Sequence, residues 1–225
     1  MKLAHPLLPV LAALLLQLAW HALTPAAAER PTYLPPPPAP SLATLAAGGD
    51  EVLAARLIML GVQAHDDQAA GRLAFAQLDY TALRGWLALA LALDPRAQAP
   101  LFAASEVYGA VTDRARAAVM LDFVATAYVA DPANRWPWLA HAALAAEHRM
   151  HDHARARAYA RLLRDGPAQV PAWARELDAL FAANAGELDD ARSILGGLLR
   201  GGSVTDPNEL RFLETKLRSL ESARP

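Results

Sequence analysis

Beyond residue 50 the apolar positions favour packed helices, and no alternation of apolar and polar residues is long enough to predict a strand. Asp50 and Asp79 stand at positions suited to N-caps, which predicts one helix from residue 51 and a second over 80–93. Three helical hairpins are predicted to follow: 100–111 with 113–130, 136–148 with 152–164, and 171–184 with 188–200. A last helix over 208–220 carries leucines on one stripe and charges elsewhere, as a helix at the end of a stack would.

A proline-containing pair recurs four times in this helical region. Each is Asp-Pro or Gly-Pro, and a large apolar residue stands six positions after the proline; Trp138 follows Pro132, and Trp173 follows Pro167. The four prolines are 37, 35 and 40 residues apart, a period typical of helical-hairpin repeats. Since a two-helix unit buries only one of its faces, the repeat predicts an all-α fold of stacked hairpins. The predicted core comprises Leu101, Tyr108, Phe123, Trp138, Leu144, Tyr159, Leu163, Trp173, Leu180, Leu195 and Leu198.

These repeats resemble the tetratricopeptide family, whose 34-residue unit has a Trp early in its first helix. Trp138 and Trp173 match that Trp, Tyr108 matches the aromatic residue further along the same helix, and residues 186–192 match the turn into the second helix. The resemblance covers about residues 80–207, and no single repeat is complete. It implies a right-handed superhelix of antiparallel helical hairpins, with the last predicted helix as its C-terminal capping helix.

The first 28 residues are predicted to lie outside the folded domain. Lys2 precedes an apolar run over 7–23, and the alanines at 26–28 are small residues of the kind that signal peptidase accepts. The run is longer than the apolar region of most signals, which favours an uncleaved anchor that crosses the inner membrane once and leaves the domain in the periplasm. The alternative is cleavage after Ala28, which would release a soluble periplasmic protein.

Residues 29–49 are predicted to form a proline-rich tether, with four consecutive prolines at 35–38. Such a run favours polyproline II, a semi-rigid spacer of roughly 3 Å per residue, which would hold the domain about 30 Å from a membrane surface. The chain therefore divides into a signal-anchor or signal peptide (1–28), this tether and a helical domain (50–225). The whole arrangement resembles uncharacterised envelope proteins of Gram-negative bacteria, a resemblance that implies location rather than mechanism.

Composition and charge exclude several classes of function. A net charge of −2 over 225 residues provides no basic field for nucleic acid, and the absence of cysteine excludes thiolate catalysis and cysteine-based metal sites. Arginines outnumber lysines 19 to 2 and are interleaved with acids, which indicates solvated helix faces. The sequence contains no GxSxG elbow, Walker A loop or dinucleotide fingerprint, so neither an enzyme nor a bound cofactor is expected.

Trp136 is the most distinctive candidate for partner binding. It lies two residues before Trp138 on one predicted helix, so helical geometry turns it by about 200° to another face. In tetratricopeptide repeats this position lines the concave groove, and the resemblance implies that Trp136, Leu139 and Glu147 hold an envelope protein or peptide. The function predicted on this basis is a non-enzymatic scaffold or assembly factor. The alternative for Trp136 is packing against the preceding helix or the turn at Pro132.

A group of histidines suggests a second function, a periplasmic protein that binds a small ligand or a metal ion. The group comprises His141, His148, His151 and His153, together with Asp152. Imidazoles with a carboxylate bind Zn²⁺, Ni²⁺ or Cu²⁺. However, His148, His151 and His153 fall at a helix end or beside the following turn, without the i, i+4 spacing that places two ligands on one helix face. They are therefore weak candidates for a metal site, and polar residues in a solvated turn are the simpler interpretation.

Overall fold

The computed structural model describes residues 7–23, 34–66, 75, 78–202, 204 and 206–222. These residues form eleven α-helices and contain no strand, so the prediction of an all-α chain is confirmed for them. In chain order the helices are α1 (Leu7–Leu23), α2 (Pro40–Ala46), α3 (Glu51–Asp66), α4 (Tyr80–Leu93), α5 (Ala99–Phe102), α6 (Arg114–Ala130), α7 (Pro132–His148), α8 (His153–Arg164), α9 (Ala172–Asn184), α10 (Leu188–Arg200) and α11 (Pro207–Ser222). Between α5 and α6 the chain forms a π-helical turn, Ala103–Val107, and a 3₁₀ turn, Tyr108–Ala110.

Aspartates cap several helices, as the sequence predicts for Asp79. The Asp79 carboxylate accepts the backbone N–H groups of Thr81 and Ala82 at 2.8 and 3.2 Å, and α4 spans the predicted range. Asp113 and Asp152 cap α6 and α8 in the same way. Because a short side-chain oxygen satisfies N–H groups that the first turn leaves unpaired, these residues fix where each helix starts.

Helix α7 begins at Pro132, four residues earlier than predicted. Proline suits the first position of a helix, where its missing N–H has no cost. A second proline, Pro137, then lies inside the helix, where it removes a backbone hydrogen bond. Trp136 and Trp138 consequently lie in the second turn of α7 rather than in its first turn.

The helices pack in sequence order, which gives the described residues a helical repeat-like arrangement. From α6 to α11 each helix packs against the next, and α4 packs against both α3 and α6. The buried apolar residues form two clusters, a larger one that extends from α3 to α9 and a smaller one around Leu195 and Leu213 in α9 to α11. Helix α9 contributes to both clusters and therefore connects them.

Two buried arginines bind carbonyl groups at the proline-containing turns. Arg135 of α7 donates to the carbonyl oxygens of Ala127 and Pro95 at 2.9 and 3.1 Å. Arg175 of α9 donates to the Pro167 carbonyl oxygen at 2.5 Å and to two further carbonyl groups. A guanidinium group carries five donors in a rigid fork, so one side chain satisfies several carbonyls near a helix end. The prediction that arginines lie on solvated faces is wrong for these two.

The described part of the proline-rich segment packs on the domain. The Trp86 indole N–H donates to the Pro35 carbonyl oxygen at 2.7 Å, and α2 packs against α3 and α4. The Pro37 ring lies over Gly85 of α4, where a Cβ atom would stand 2.9 Å from it. Residues 34–47 therefore cover the helical domain, and the prediction of a free spacer is wrong for them; the beginning of the predicted tether lies outside the described residues.

Helix α1 covers the predicted apolar run. Its described side chains, from Val10 to Trp20, are exposed. In the part of the chain that the structure describes, no helix combines the length and the apolar character that crossing a membrane requires. Ala28, the predicted cleavage position, is not among the described residues.

Candidate partner-binding surface

The structure separates the three residues that the sequence predicts to line one groove. Leu139 is fully buried and Glu147 is 5% exposed, because α7 is packed between α6 and α8. The Glu147 carboxylate lies 2.9 Å from Nδ1 of His153 on α8. Neither Leu139 nor Glu147 is available to a partner in this structure, whereas Trp136 is half-buried.

Trp136 packs against the following repeat. Its ring meets the ring of Trp173 on α9 edge to face, with centroids 5.6 Å apart and an interplanar angle of 73°, a geometry that the charge distribution of aromatic rings favours. The sequence predicts a core position for Trp173, and this is wrong, since the residue is 45% exposed. Ala174 and Leu177 are buried on α9, whereas Trp173, in the first turn of the same helix, is only partly covered.

Trp138 contacts the preceding repeat. Its indole N–H donates to the side-chain oxygen of Gln98, and its ring meets Phe102 of α5 edge to face at 6.1 Å. The predicted separation of Trp136 and Trp138 onto different faces of one helix is thus confirmed. Trp138 is nevertheless half-buried, where the sequence predicts a core position.

Trp173 borders a pocket of about 420 Å³ between α9 and α11. The α9 residues that line it are spaced i, i+3, i+4 and i+7, so they share one face of the helix. The lining residues are Trp173, Glu176, Leu177, Leu180, Asn208, Glu209 and Phe212. Phe212 is 52% exposed, so the pocket has two aromatic side chains that solvent reaches. Its volume falls in the range of ordinary ligand pockets.

Glu176 has a buried carboxyl group without a counter-charge. The residue is 3% exposed, its side chain lines the pocket, and no described residue forms a hydrogen bond or an ion pair with it. Burial and, to a smaller extent, the nearby carboxylate of Glu209 raise the pKa of Glu176 to about 7. Near neutral pH the group is therefore divided between its protonated and its ionised form.

Asp178, two positions later on α9, shows how buried charges are usually held. It is fully buried, and its carboxylate accepts from Arg157 at 2.5 Å and from Arg164 at 2.6 Å. Arg157 also pairs with Glu187, which precedes α10. This network ties α8, α9 and α10 together, and it follows the general rule that a buried charge has a partner. Glu176 departs from that rule.

Glu176 and Phe212 are the residues of this surface that the sequence interpretation missed. The signal for Glu176 is the run Arg175-Glu176-Leu177-Asp178, which puts three charged residues into an otherwise apolar helix. A helix with so many apolar positions is surrounded by other elements. Charged residues within it then need a buried partner or a ligand. The signal for Phe212 is an aromatic residue off the leucine stripe of the last helix.

The histidines do not converge on one point. Their contacts are His141 with Glu106 at 3.3 Å, His153 with Glu147 at 2.9 Å, and the ring of His148 with that of Phe181 at 6.5 Å. His151 adopts a positive φ of 52° in the turn between α7 and α8. Among the residues that the structure describes, no group of three or more His, Cys, Asp or Glu side chains could hold a metal ion.

No family model matches this chain, and no curated protein or solved structure matches it. Function is therefore inferred from the sequence and from the geometry of the surface between α9 and α11. On that surface the exposed aromatic rings and the buried carboxyl group lie on the same pocket.

Proposed function

We propose that this chain is a non-enzymatic scaffold or assembly factor that binds an envelope protein or peptide. The binding site is the surface formed by Trp136, Trp173, Phe212 and the adjoining pocket, hereafter the Trp173 surface. The observation that carries the proposal is the 45% exposure of Trp173 beside an open pocket. Large aromatic residues of this kind, set at pockets, supply much of the binding energy at protein interfaces.

We also infer that the helical pairs form a tetratricopeptide-like right-handed superhelix that α11 closes. The repeated Asp-Pro and Gly-Pro pairs support this inference, as does the packing of consecutive helices from α6 to α11. The buried residues of α11 are Leu213 and Leu220, while most of its other side chains are exposed, as in a terminal helix that covers one end of a stack. Such a stack offers a continuous surface to a partner helix or an extended peptide.

Residues 1–28 are proposed to direct export, so that the domain works in the periplasm. The chain is either held at the inner membrane by α1 or released after Ala28. The exposed apolar side chains of α1 support a role outside the packed domain. Mass spectrometry of the mature protein tests this: a chain that starts at Glu29 indicates cleavage, an intact chain in the inner-membrane fraction supports the anchor, and an intact chain in the cytoplasm contradicts export.

Site-specific photocrosslinking in the host bacterium tests partner binding. A benzophenone amino acid replaces Phe212 on the Trp173 surface or, as the matched control, Phe102, which is similarly exposed but lies on α5. We expect a discrete crosslinked protein from position 212 that is absent from position 102 and is lost in a Trp173→Glu background. Identical products from both positions, or none from position 212, would contradict the proposal.

A further inference from the structure

We propose that the pocket beside Trp173 receives a lysine or arginine side chain of the bound partner, with Glu176 as its counter-charge. This inference rests on the proposed function, because it names the chemistry by which that partner is recognised. It joins two features that are otherwise unexplained, the exposed Trp173 and the unpaired carboxyl group of Glu176, in one site.

Glu176 supplies the charge complementarity. Its side chain lines the pocket, is 3% exposed, and has no donor among the described residues. A buried polar group without a partner is costly. A cation that reaches the carboxylate provides both the missing hydrogen bond and the missing charge. Glu209 of α11, half-buried and lining the same pocket, adds a second acid.

The remaining walls fit the rest of a lysine or arginine side chain. Leu177 and Leu180 provide apolar surface for its methylene groups. Trp173 and Phe212 provide aromatic rings, whose faces attract ammonium and guanidinium groups. The volume of about 420 Å³ leaves room for neighbouring atoms of the partner as well as for the side chain.

No described basic residue lines the pocket. Arg211 on α11 donates to the side-chain oxygen of Asn208, and Arg157 and Arg164 of α8 are held by Asp178. The N–H groups at the start of α11, which would attract an anion, are capped by Asp206. Two carboxyl groups among apolar walls are also too few oxygen ligands for Ca²⁺ or Mg²⁺. The lining of the pocket therefore favours an organic cation with an apolar stem over an anion or a divalent metal ion.

Titration of the full-length chain in a mild detergent with three matched peptides tests the proposal. The peptides are acetylated and amidated, have the sequence Ala-Leu-X-Leu-Ala, and differ only in X, which is lysine, arginine or norleucine. The readout is the indole N–H signal of Trp173 in two-dimensional NMR, assigned with a Trp173→Phe variant. We expect the two cationic peptides to shift this signal saturably and to bind at least about ten-fold more tightly than the norleucine peptide, as a desolvated charge pair requires.

Two variants separate Glu176 from the general acidity of the chain. Glu176→Gln is expected to bind the lysine and norleucine peptides equally. Glu221→Gln removes an exposed acid from α11 and is expected to keep the preference. Equal affinities in the unmodified chain, a preference that survives Glu176→Gln, or the absence of any saturable shift would each overturn the proposal.

Sedimentation of the chain without peptide tests the other possible occupant of the pocket, which is a second copy of the chain. A dimer that Glu176→Gln dissociates would mean that the pocket is filled in that way, and the proposal of a partner's cation would be wrong; a monomer supports it. Failure of the inference about a cation can be distinguished from failure of the proposed partner binding. If position 212 still crosslinks a protein while the peptides show no preference for a cation, partner binding stands and only the recognition of a cation fails.

Discussion

Asp178 and Glu176 lie two positions apart on α9 and are both almost completely buried, yet only Asp178 has counter-charges. The fold surrounds Asp178 with Arg157 and Arg164, whereas Glu176 faces a pocket and another acid. Removing the charge of Asp178 therefore leaves both arginines without this counter-charge, which lowers stability. Removing the charge of Glu176 removes the unfavourable free energy of an unpaired carboxylate at a buried residue, which raises stability. The two substitutions have opposite expected effects on stability.

Asp178→Asn is expected to lower the free energy of unfolding by about 3 kcal/mol, because it leaves Arg157 buried with an incomplete counter-charge. Urea denaturation followed by circular dichroism measures the loss. The matched control is Asp189→Asn, which removes an exposed carboxylate that pairs with Arg192 on the surface; its expected effect is below about 1 kcal/mol. Equal losses for the two variants would show that the buried network does not stabilise α8 to α10.

Glu176→Gln is expected to raise stability in a pH-dependent way. The folded pKa of about 7 lies above the usual 4.5, so the folded chain keeps a proton that the unfolded chain releases. Below about pH 4.5 Glu176 is protonated in both states and its ionisation costs no stability. As the pH rises to about 7 the free energy of unfolding falls, and above that value it changes no further. The full shift corresponds to roughly 3 kcal/mol, and solvent screening at the open pocket reduces it. The variant should therefore gain about 2 kcal/mol over the unmodified chain at pH 8 and nothing at pH 4.5.

Glu221→Gln is the control for this measurement, since the residue is exposed on the same helix as Glu209. Denaturation curves across the pH range should show no growing gain for this variant. A gain for Glu176→Gln that is the same at pH 4.5 and pH 8 would mean that ionisation of the buried carboxyl group is not what limits stability. Glu209 is the acid that faces Glu176 from α11.

At this scale the relative directions of Trp136 and Trp138 were predictable, whereas the exposure of Trp173 and the partners of charged side chains were not. Helical periodicity alone separates Trp136 from Trp138, and the structure confirms that they contact different repeats. Whether Glu176 or Asp178 finds an arginine depends on residues of other helices. No local pattern carries that information, so the interpretation of charges as solvated faces was wrong for α9.

At the scale of elements, helix starts followed from local chemistry, whereas the position of the proline-rich segment did not. The cap at Asp79 needs only the next few N–H groups, so α4 begins where the sequence predicts. The segment before α2 is held by Trp86 and by the space above Gly85. Trp86 is 51 residues further along the chain than Pro35, which it contacts. Composition cannot predict such a distant contact, so it predicts only a spacer.

Gly85→Ala is expected to detach this segment without unfolding α4. A Cβ at this position would meet the Pro37 ring at 2.9 Å, closer than atoms in contact allow, so the segment must shift and lose the hydrogen bond from Trp86. Alanine is at the same time a better helix former than glycine by about 1 kcal/mol. Hydrogen exchange should therefore quicken in residues 41–47 while α4 stays protected.

Gly61→Ala is the matched control for this change. Gly61 also lies within a helix, α3, but a Cβ there has no atom within 4 Å. We expect a gain of roughly 0.5–1 kcal/mol in the free energy of unfolding and unchanged exchange in residues 41–47. If both variants leave that exchange unchanged, the segment is not held on α4 by the contact with Pro37.

At the scale of the whole molecule, the division of the core into two clusters predicts uneven stability. The larger cluster extends from α3 to α9, and the smaller one joins α9, α10 and α11. In repeat-like arrangements each unit is stabilised mainly by its neighbours. The two ends of the described helical domain are therefore connected by the packing of α9, the helix that also contains Trp173, Glu176 and Asp178.

Leu213→Ala and Leu121→Ala test this division, because both leucines are fully buried, the first in the smaller cluster and the second in the larger. Each substitution should cost about 2–5 kcal/mol locally. Hydrogen exchange measured by mass spectrometry should quicken in α10 and α11 for Leu213→Ala and leave α4 and α6 protected, with the reverse pattern for Leu121→Ala. If α4 loses as much protection as α10 in the Leu213→Ala variant, the two clusters unfold as one unit. The stability of the domain is then not a sum over neighbouring repeats.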